Sequence, residues 1–140
     1  VGAALQTLAG ASGLRLRVDT EAVPCAQLLA HAALSAGLPE SAFLLGHAGE
    51  YEQVALVPEA ATEPLAAAGW TRIGVFDRSG PSGVSFRKGG REAPLPPLPD
   101  PRDAESESAY RDRLVSIASR VPGNTPDPAP GPETGREERS

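Results

Sequence analysis

The hydrophobic positions in the first part of the chain recur at two spacings, one typical of helices and one typical of strands. Val1, Leu5 and Leu8 repeat with a helical period, and Gly13 follows where a left-handed glycine ends many helices. Residues 14–18 then alternate between apolar and charged side chains, as in a strand with one buried face. The pattern therefore predicts a helix followed directly by a strand.

The pattern continues with a second helix, an apolar run and a third helix. Helical spacing extends from about residue 25 to residue 36 and stops at Gly37. Residues 54–57 are apolar without alternation, which predicts a central strand covered on both faces and ended by Pro58. A short helix is predicted at residues 62–68, because its proline falls in the first turn, where proline is tolerated.

Two further strands are predicted before residue 90. Residues 71–75 alternate between apolar and other side chains, and Val84 with Phe86 repeats this alternation after a Gly-Pro-Ser-Gly turn. The two strands and the turn indicate an antiparallel hairpin. The predicted fold class is therefore α+β, with an approximately four-stranded, mostly antiparallel sheet and helices packed on one face.

The distribution of proline divides the chain into four parts. Ten of the fifteen prolines follow residue 93, and proline-dense sequence resists both helix and sheet. We therefore predict a compact domain at residues 1–90 and a proline-rich linker at 91–103. An amphipathic helix is predicted at 104–121, and the polar residues 122–140 form a disordered tail, because they have too few apolar side chains to offset the cost of ordering.

The predicted C-terminal helix has a narrow apolar stripe, and Asp103 is its candidate N-cap. Such a stripe either packs on the helix's own domain or docks on another subunit or partner. Packing on its own domain is the simpler interpretation. The stripe consists of Tyr110, Leu114, Ile117 and Val121.

Composition excludes several classes of partner. The 13 basic and 18 acidic residues give a net charge of -5, which argues against nucleic acid as the main partner. No run of eighteen apolar residues is present, so no membrane span is predicted. Cys25, the one cysteine, cannot form an internal disulfide, and a cytoplasmic location is expected. Neither Cys25 nor His31 has neighbours at metal-ligand spacing, so no metal site is predicted.

The densest group of polar residues is the sequence GHAGEYE at residues 46–52. It combines two glycines, one histidine and two carboxylates directly before the predicted central strand. Glycine allows close approach of the backbone to a ligand, and carboxylates can hold a cation or a substrate amine. The alternative interpretation is a tight turn in which Glu50 and Glu52 are solvated.

The sequence GHAGEYEQVALVP, followed by a short helix and AAGWTRIGVF, resembles the C-terminal domain of thiamine-monophosphate kinase. That superfamily includes aminoimidazole ribonucleotide synthetase, selenophosphate synthetase and the hydrogenase-maturation dehydratase. Family members typically read Gly-Gly-Glu-Asp-Tyr-Glu at this place, so Tyr51 and Glu52 match and the family's Asp falls on Glu50. The resemblance covers residues 1–89. Its opening blocks match at Ala11, Ser12, Gly13, Asp19, Val23 and Pro24.

The resemblance implies the substrate-side domain of an ATP-dependent small-molecule kinase with a small phosphorylated substrate. In the family, ATP and Mg²⁺ are held by an N-terminal half and by an acidic block that would lie before Val1. This domain would therefore work with its own N-terminal half or with a second subunit. Neither cofactor is expected on this chain alone, which should not transfer phosphate by itself. The residues that the resemblance places near substrate are His47, Gly49, Glu50, Tyr51 and Glu52.

The chain departs from the family in two places. His47 and Ala48 stand where the family has its glycine pair, and proline-rich sequence after Gly90 replaces the closing Gly-aromatic-x-His-Phe segment. Two alternatives stand beside the kinase hypothesis, the first suggested by these departures and the second independent of the resemblance. The domain is either a diverged, non-catalytic relative that serves binding or assembly, or an adaptor that recruits a partner through its C-terminal helix.

Overall fold

A computed structural model of the chain describes residues 1–24, 32–33, 35–45 and 53–122. The helices in this part are α1 (Gly2–Ser12), α2 (Glu40–Leu45), α3 (Thr62–Ala67) and α4 (Glu107–Ala118), with 3₁₀ turns at Glu59–Ala61 and Pro101–Asp103. The strands are β1 (Arg15–Asp19), β2 (Gly74–Asp77), β3 (Gly83–Lys88) and β4 (Arg91–Pro94).

The four strands form one mixed sheet in the order β2-β1-β3-β4. β1 pairs antiparallel with β2 and parallel with β3, and β4 pairs antiparallel with β3. The predicted α+β class and the predicted number of strands are confirmed. The sheet is mixed, because its central pairing, between β1 and β3, is parallel.

Helix α1 packs on one face of this sheet, α2 packs against α1, and α4 packs against α2. Leu16 and Val18 of β1 lie in register with Val84 and Phe86 of β3, and all four side chains are buried in the core. Each helix contributes residues to the same cluster. These are Leu5 and Ala9 from α1, Leu45 from α2, and Leu114 and Ala118 from α4.

The start of the chain folds as its pattern predicts. Helix α1 ends at Gly13, whose φ of 67° is left-handed and whose N–H donates to the carbonyl of Ala9. Strand β1 follows, with Leu16 and Val18 buried. Helix α3 also forms at the predicted place. The helix predicted at 25–36 lies largely outside the described residues, although residues 32, 33 and 35 are helical.

The predicted hairpin between residues 71–75 and 84–86 is wrong. β2 and β3 both form, but β1 lies between them and pairs with each. Alternation of side chains reports which face of a strand is buried and leaves its pairing partner open. The loop between β2 and β3 therefore crosses the end of β1.

The predicted central strand at residues 54–57 is absent from the sheet, whose centre is β1 and β3. Residues 53–58 carry no regular secondary structure. Val54 and Leu56 pack against the core cluster, whereas Ala55 is exposed. The apolar run therefore reflects contact of side chains with the core rather than a place in the ladder of hydrogen bonds.

The segment 91–103, predicted as a linker, instead belongs to the folded unit. Its first residues form β4 at an edge of the sheet, where Pro94 is the last residue of the strand. An edge strand tolerates proline because the missing N–H is not needed by a second neighbour. The side-chain amide of Gln6 in α1 donates to the carbonyl of Pro96 at 2.7 Å and accepts from the N–H of Leu98 at 3.1 Å. These two bonds hold the proline-rich segment against α1.

The C-terminal helix packs on its own domain, the simpler of the two interpretations. Leu114 and Val121 are buried in the core, and Tyr110 and Ile117 pack against it. Its N-cap is Ser106, which accepts a hydrogen bond from the N–H of Ala109. The predicted cap, Asp103, lies instead in a 3₁₀ turn. Among the described residues, no helix is both long enough and apolar enough to cross a membrane.

Candidate functional site

A cleft of about 650 Å³ opens between the sheet and the segment that leads into α3. Its walls are mainly apolar, and its volume lies in the usual range for small-molecule sites, about 300–1,000 Å³. Residues 53–57 form one part of its wall, and residues 70–76, which run into β2, form another. The floor is formed by core-facing residues of α1 and β1, including Leu5, Leu16 and Val18.

Two aromatic side chains stand out on the walls of the cleft. Trp70 is 38% exposed and Phe76 is 40% exposed, although large apolar side chains are usually buried. Apolar surface that remains exposed around a concavity is typical of a binding site. Trp70 is also the one tryptophan of the chain, so its fluorescence reports directly on this cleft.

An arginine–carboxylate pair joins the two ends of residues 59–72, the stretch that contains α3. The guanidinium of Arg72 donates to both carboxylate oxygens of Glu59, at 2.9 and 3.3 Å, and both residues line the cleft. The pair is exposed, so its contribution to stability is small. Its bidentate geometry nevertheless fixes the 3₁₀ turn relative to the residues that lead into β2.

The five residues predicted to contact substrate, at positions 47 and 49–52, lie outside the described residues, as do Cys25 and His31. Gln53 is the first described residue after them, and it lines the cleft together with Val54. The sequence from the GHAGEYE segment therefore leads directly into one wall of the cleft. Within the described ranges, no group of three or more His, Cys, Asp or Glu side chains is placed to hold a metal ion.

Sequence reasoning did not single out Trp70, Phe76 or Arg72. Trp70 and Phe76 both stand in AAGWTRIGVF, one of the blocks that carry the family resemblance, but neither was among the residues predicted to contact substrate. The sequence feature that could have drawn attention to the two aromatic residues is the low aromatic content of the chain. Only 4% of the residues are aromatic, yet two aromatic residues, Trp70 and Phe76, line this one cleft.

The face of the sheet opposite the helices carries a second group of polar residues. Arg15 pairs with Glu92 at 3.0 Å, and Arg17 pairs with Asp77 at 2.9 Å. A hydrogen bond from the Ser85 hydroxyl, followed by the bond and charge of Arg15, lowers the pKa of Glu92. Hydrogen bonds from the side chain and backbone of Ser79, helped by the charge of Arg17, lower the pKa of Asp77. Both carboxylates therefore stay ionised to a lower pH than ordinary Asp and Glu side chains do.

These lowered pKa values predict a loss of stability in acid. A carboxyl whose pKa is lower in the folded state contributes its full stabilisation above its unfolded pKa, about 4.3 for Glu, and loses it as the pH falls through the folded value. We expect the urea midpoint of the wild type to fall more between pH 6 and pH 3 than that of Glu92→Gln. The exposed Glu63→Gln is the control, with the pH dependence of the wild type. Equal pH dependence of Glu92→Gln and the wild type would contradict the prediction.

Comparison with family models, curated proteins and solved structures finds no significant match to this chain.

Proposed function

We propose that this chain is the substrate-side domain of an ATP-dependent small-molecule kinase related to thiamine-monophosphate kinase, and that the cleft holds the acceptor substrate. The observation that carries the proposal is the continuity between the GHAGEYE segment and the wall of the cleft at Gln53 and Val54. The segment that resembles the family's substrate motif leads into a concavity of suitable size. ATP and Mg²⁺ would be held by the family's N-terminal half.

The chemistry of the cleft suits a ligand with a flat apolar part. Trp70 and Phe76 offer aromatic surface, and the floor offers aliphatic side chains. Arg72 and Glu59 place one charge of each sign on the cleft. In this proposal Glu50 and Glu52 orient the polar end of the substrate, as their alignment with the family's acidic motif implies. The assignment to the family's C-terminal domain fold belongs to the same proposal.

The adaptor alternative was suggested by the apolar stripe of the C-terminal helix, which would have to be free to bind a partner. The apolar stripe of α4 is occupied by contacts with the chain's own core. The non-catalytic relative is the remaining alternative, and it shares the ligand-binding cleft with the kinase hypothesis. Phosphate transfer by the complete protein, with ATP and thiamine monophosphate, separates these two.

The cleft can be tested as the ligand site by titrating the protein with thiamine monophosphate and following the fluorescence of Trp70. We expect a saturable change in emission. Phe76→Ala should weaken the affinity tenfold or more, which corresponds to about 1.4 kcal/mol, because it removes one aromatic wall. The control, Arg113→Ala, changes an exposed residue of α4 that does not line the cleft, and it should bind as the wild type does.

Two further variants in the same titration test the GHAGEYE segment. At least one of Glu50→Gln and Glu52→Gln should lower the affinity tenfold or more, with a melting temperature close to that of the wild type. If both bind normally while Phe76→Ala does not, the cleft is a ligand site but the segment is only a turn. A linear, non-saturable response of Trp70 would overturn the proposed substrate.

A further inference from the structure

Two stretches of chain, residues 53–57 and strand β2, line the same cleft, and both have backbone groups without a hydrogen-bond partner among the described residues. β2 lies at the end of the sheet, where its ladder of hydrogen bonds runs to β1 alone. Residues 53–57 form the other wall, and among the described residues their backbone groups have no hydrogen-bond partner. Backbone N–H and C=O groups in folded proteins are almost always paired, with protein or with water. An unpaired segment beside an unpaired strand edge therefore calls for an explanation.

The side chains of residues 53–56 already alternate between exposed and half-buried, as those of a strand do. Val54 and Leu56 pack against the core cluster, whereas Ala55 between them is exposed. Period-two alternation of this kind is what an edge strand on a helix-covered sheet requires. The segment therefore has the exposure pattern of a strand of this sheet but none of the hydrogen bonds of its ladder.

We propose that residues 53–57 close onto the free edge of β2 as a fifth, outermost strand. This is an edge position, different from the central position that the apolar pattern predicts. The occupant is this chain's own segment because it is tethered beside β2 and lines the same cleft, which gives it a high effective concentration. A second copy of the chain would have to displace it. Closure narrows the cleft between the two walls, so the structure described here is the open form.

The connection between the two stretches fixes the direction of the pairing. Residues 58–73 contain a 3₁₀ turn and α3, and a crossover with a helix, of about a dozen residues or more, is the usual link between parallel neighbours. The fifth strand therefore runs parallel to β2. The ion pair between Arg72 and Glu59 joins the two ends of this crossover. It therefore limits how far residues 53–57 and β2 can separate.

The faces of the two strands supply a sharp test. Gly74 and Phe76 lie in register with Val18 and Leu16 on the core face, so Val75 lies on the opposite face. Ala55 and Val57 lie on that same outer face if Val54 and Leu56 point to the core. Cysteines at Ala55 and Val75, or at Val57 and Val75, would then come within disulfide distance, where Cα atoms are about 4.4–6.8 Å apart. The matched control joins opposite faces, with cysteines at Ala55 and Phe76.

The experiment uses three double variants, each also carrying Cys25→Ser, without any ligand. Mild oxidation should cross-link Ala55→Cys/Val75→Cys or Val57→Cys/Val75→Cys within one chain, at least tenfold faster than Ala55→Cys/Phe76→Cys. Equal rates in all three would overturn the proposal, because they show random contact. Cross-linking between chains alone would also overturn it, and would assign the edge of β2 to a second copy.

Hydrogen exchange of the wild type provides a second measurement that needs no cysteine. Alternate amides of residues 53–57 and the outward amides of β2 should exchange at least tenfold slower than unstructured amides. Ala55→Pro, at an exposed position, should remove this protection from β2 and leave β3 unchanged. Unprotected amides in both stretches would overturn the proposal. Because no ligand is present, neither outcome depends on the proposed kinase substrate.

Discussion

Phe86→Ala is expected to destabilise the protein by about 3–5 kcal/mol, the usual cost of truncating a fully buried phenylalanine. Phe86 is 1% exposed, and it lies on β3, the strand that pairs with both β1 and β4. It belongs to a core cluster that also takes residues from α1, α2 and α4, so a shift of one element would disturb the packing of the others. Domains are typically stable by about 5–15 kcal/mol, so this single change removes a large part of the total.

The matched control is Phe76→Ala, the same substitution on the edge strand β2. Phe76 is 40% exposed and borders the cleft, so its truncation leaves no closed cavity and should cost only about 1–2 kcal/mol, less than that of Phe86. Urea unfolding followed by circular dichroism gives both values. Similar losses for the two variants would show that the sheet is not packed as described.

Gly74→Ala is expected to destabilise the protein by about 1–3 kcal/mol or more, although alanine is normally better than glycine in a strand. A Cβ atom at this position would lie 2.2 Å from the backbone carbonyl oxygen of Arg17 and 3.0 Å from Cα of Val18. Both obstacles are backbone of the central strand β1, so no side-chain rotation relieves the clash. The strands would have to separate, which breaks bonds of the β1–β2 ladder.

The control for Gly74→Ala is Gly10→Ala in α1. A Cβ atom at Gly10 has nothing within 4 Å, and alanine is favoured over glycine inside a helix by roughly 1 kcal/mol. The two variants should therefore shift the urea midpoint in opposite directions. A Gly74→Ala protein as stable as the wild type would show that β2 does not approach β1 this closely.

The sequence predicts elements better than their arrangement. α1, β1 and α3 follow from local spacing and from the residues that end them, such as Gly13. The place of β1 between β2 and β3 depends on contacts between residues far apart in the chain, and alternation in one strand carries no record of its partner. β4 was hidden because proline usually argues against a strand, although an edge position accepts it.

The candidate site likewise has one part that the sequence reveals and one part that it does not. The GHAGEYE segment is visible in the sequence because glycine, histidine and carboxylates are adjacent there. The cleft is not visible, because Leu5, Val54 and Phe76 come from separate parts of the chain and meet only in the folded protein. Concave surfaces are made by tertiary packing, and no local pattern encodes them.

The interleaved order of the sheet has a consequence for how the chain acquires its structure. β1 precedes the other three described strands in the chain, yet both of its neighbours, β2 and β3, come from the region after residue 73. Closing such long loops before any sheet contact forms slows folding relative to a meander of hairpins. During synthesis on the ribosome, β1 therefore emerges before its partner strands. Until β2 and β3 follow, the apolar side chains of Leu16 and Val18 lack their strand neighbours, and both edges of β1 are unpaired. Exposed apolar surface and unpaired strand edges promote aggregation, so this interval is a point of risk for the nascent chain.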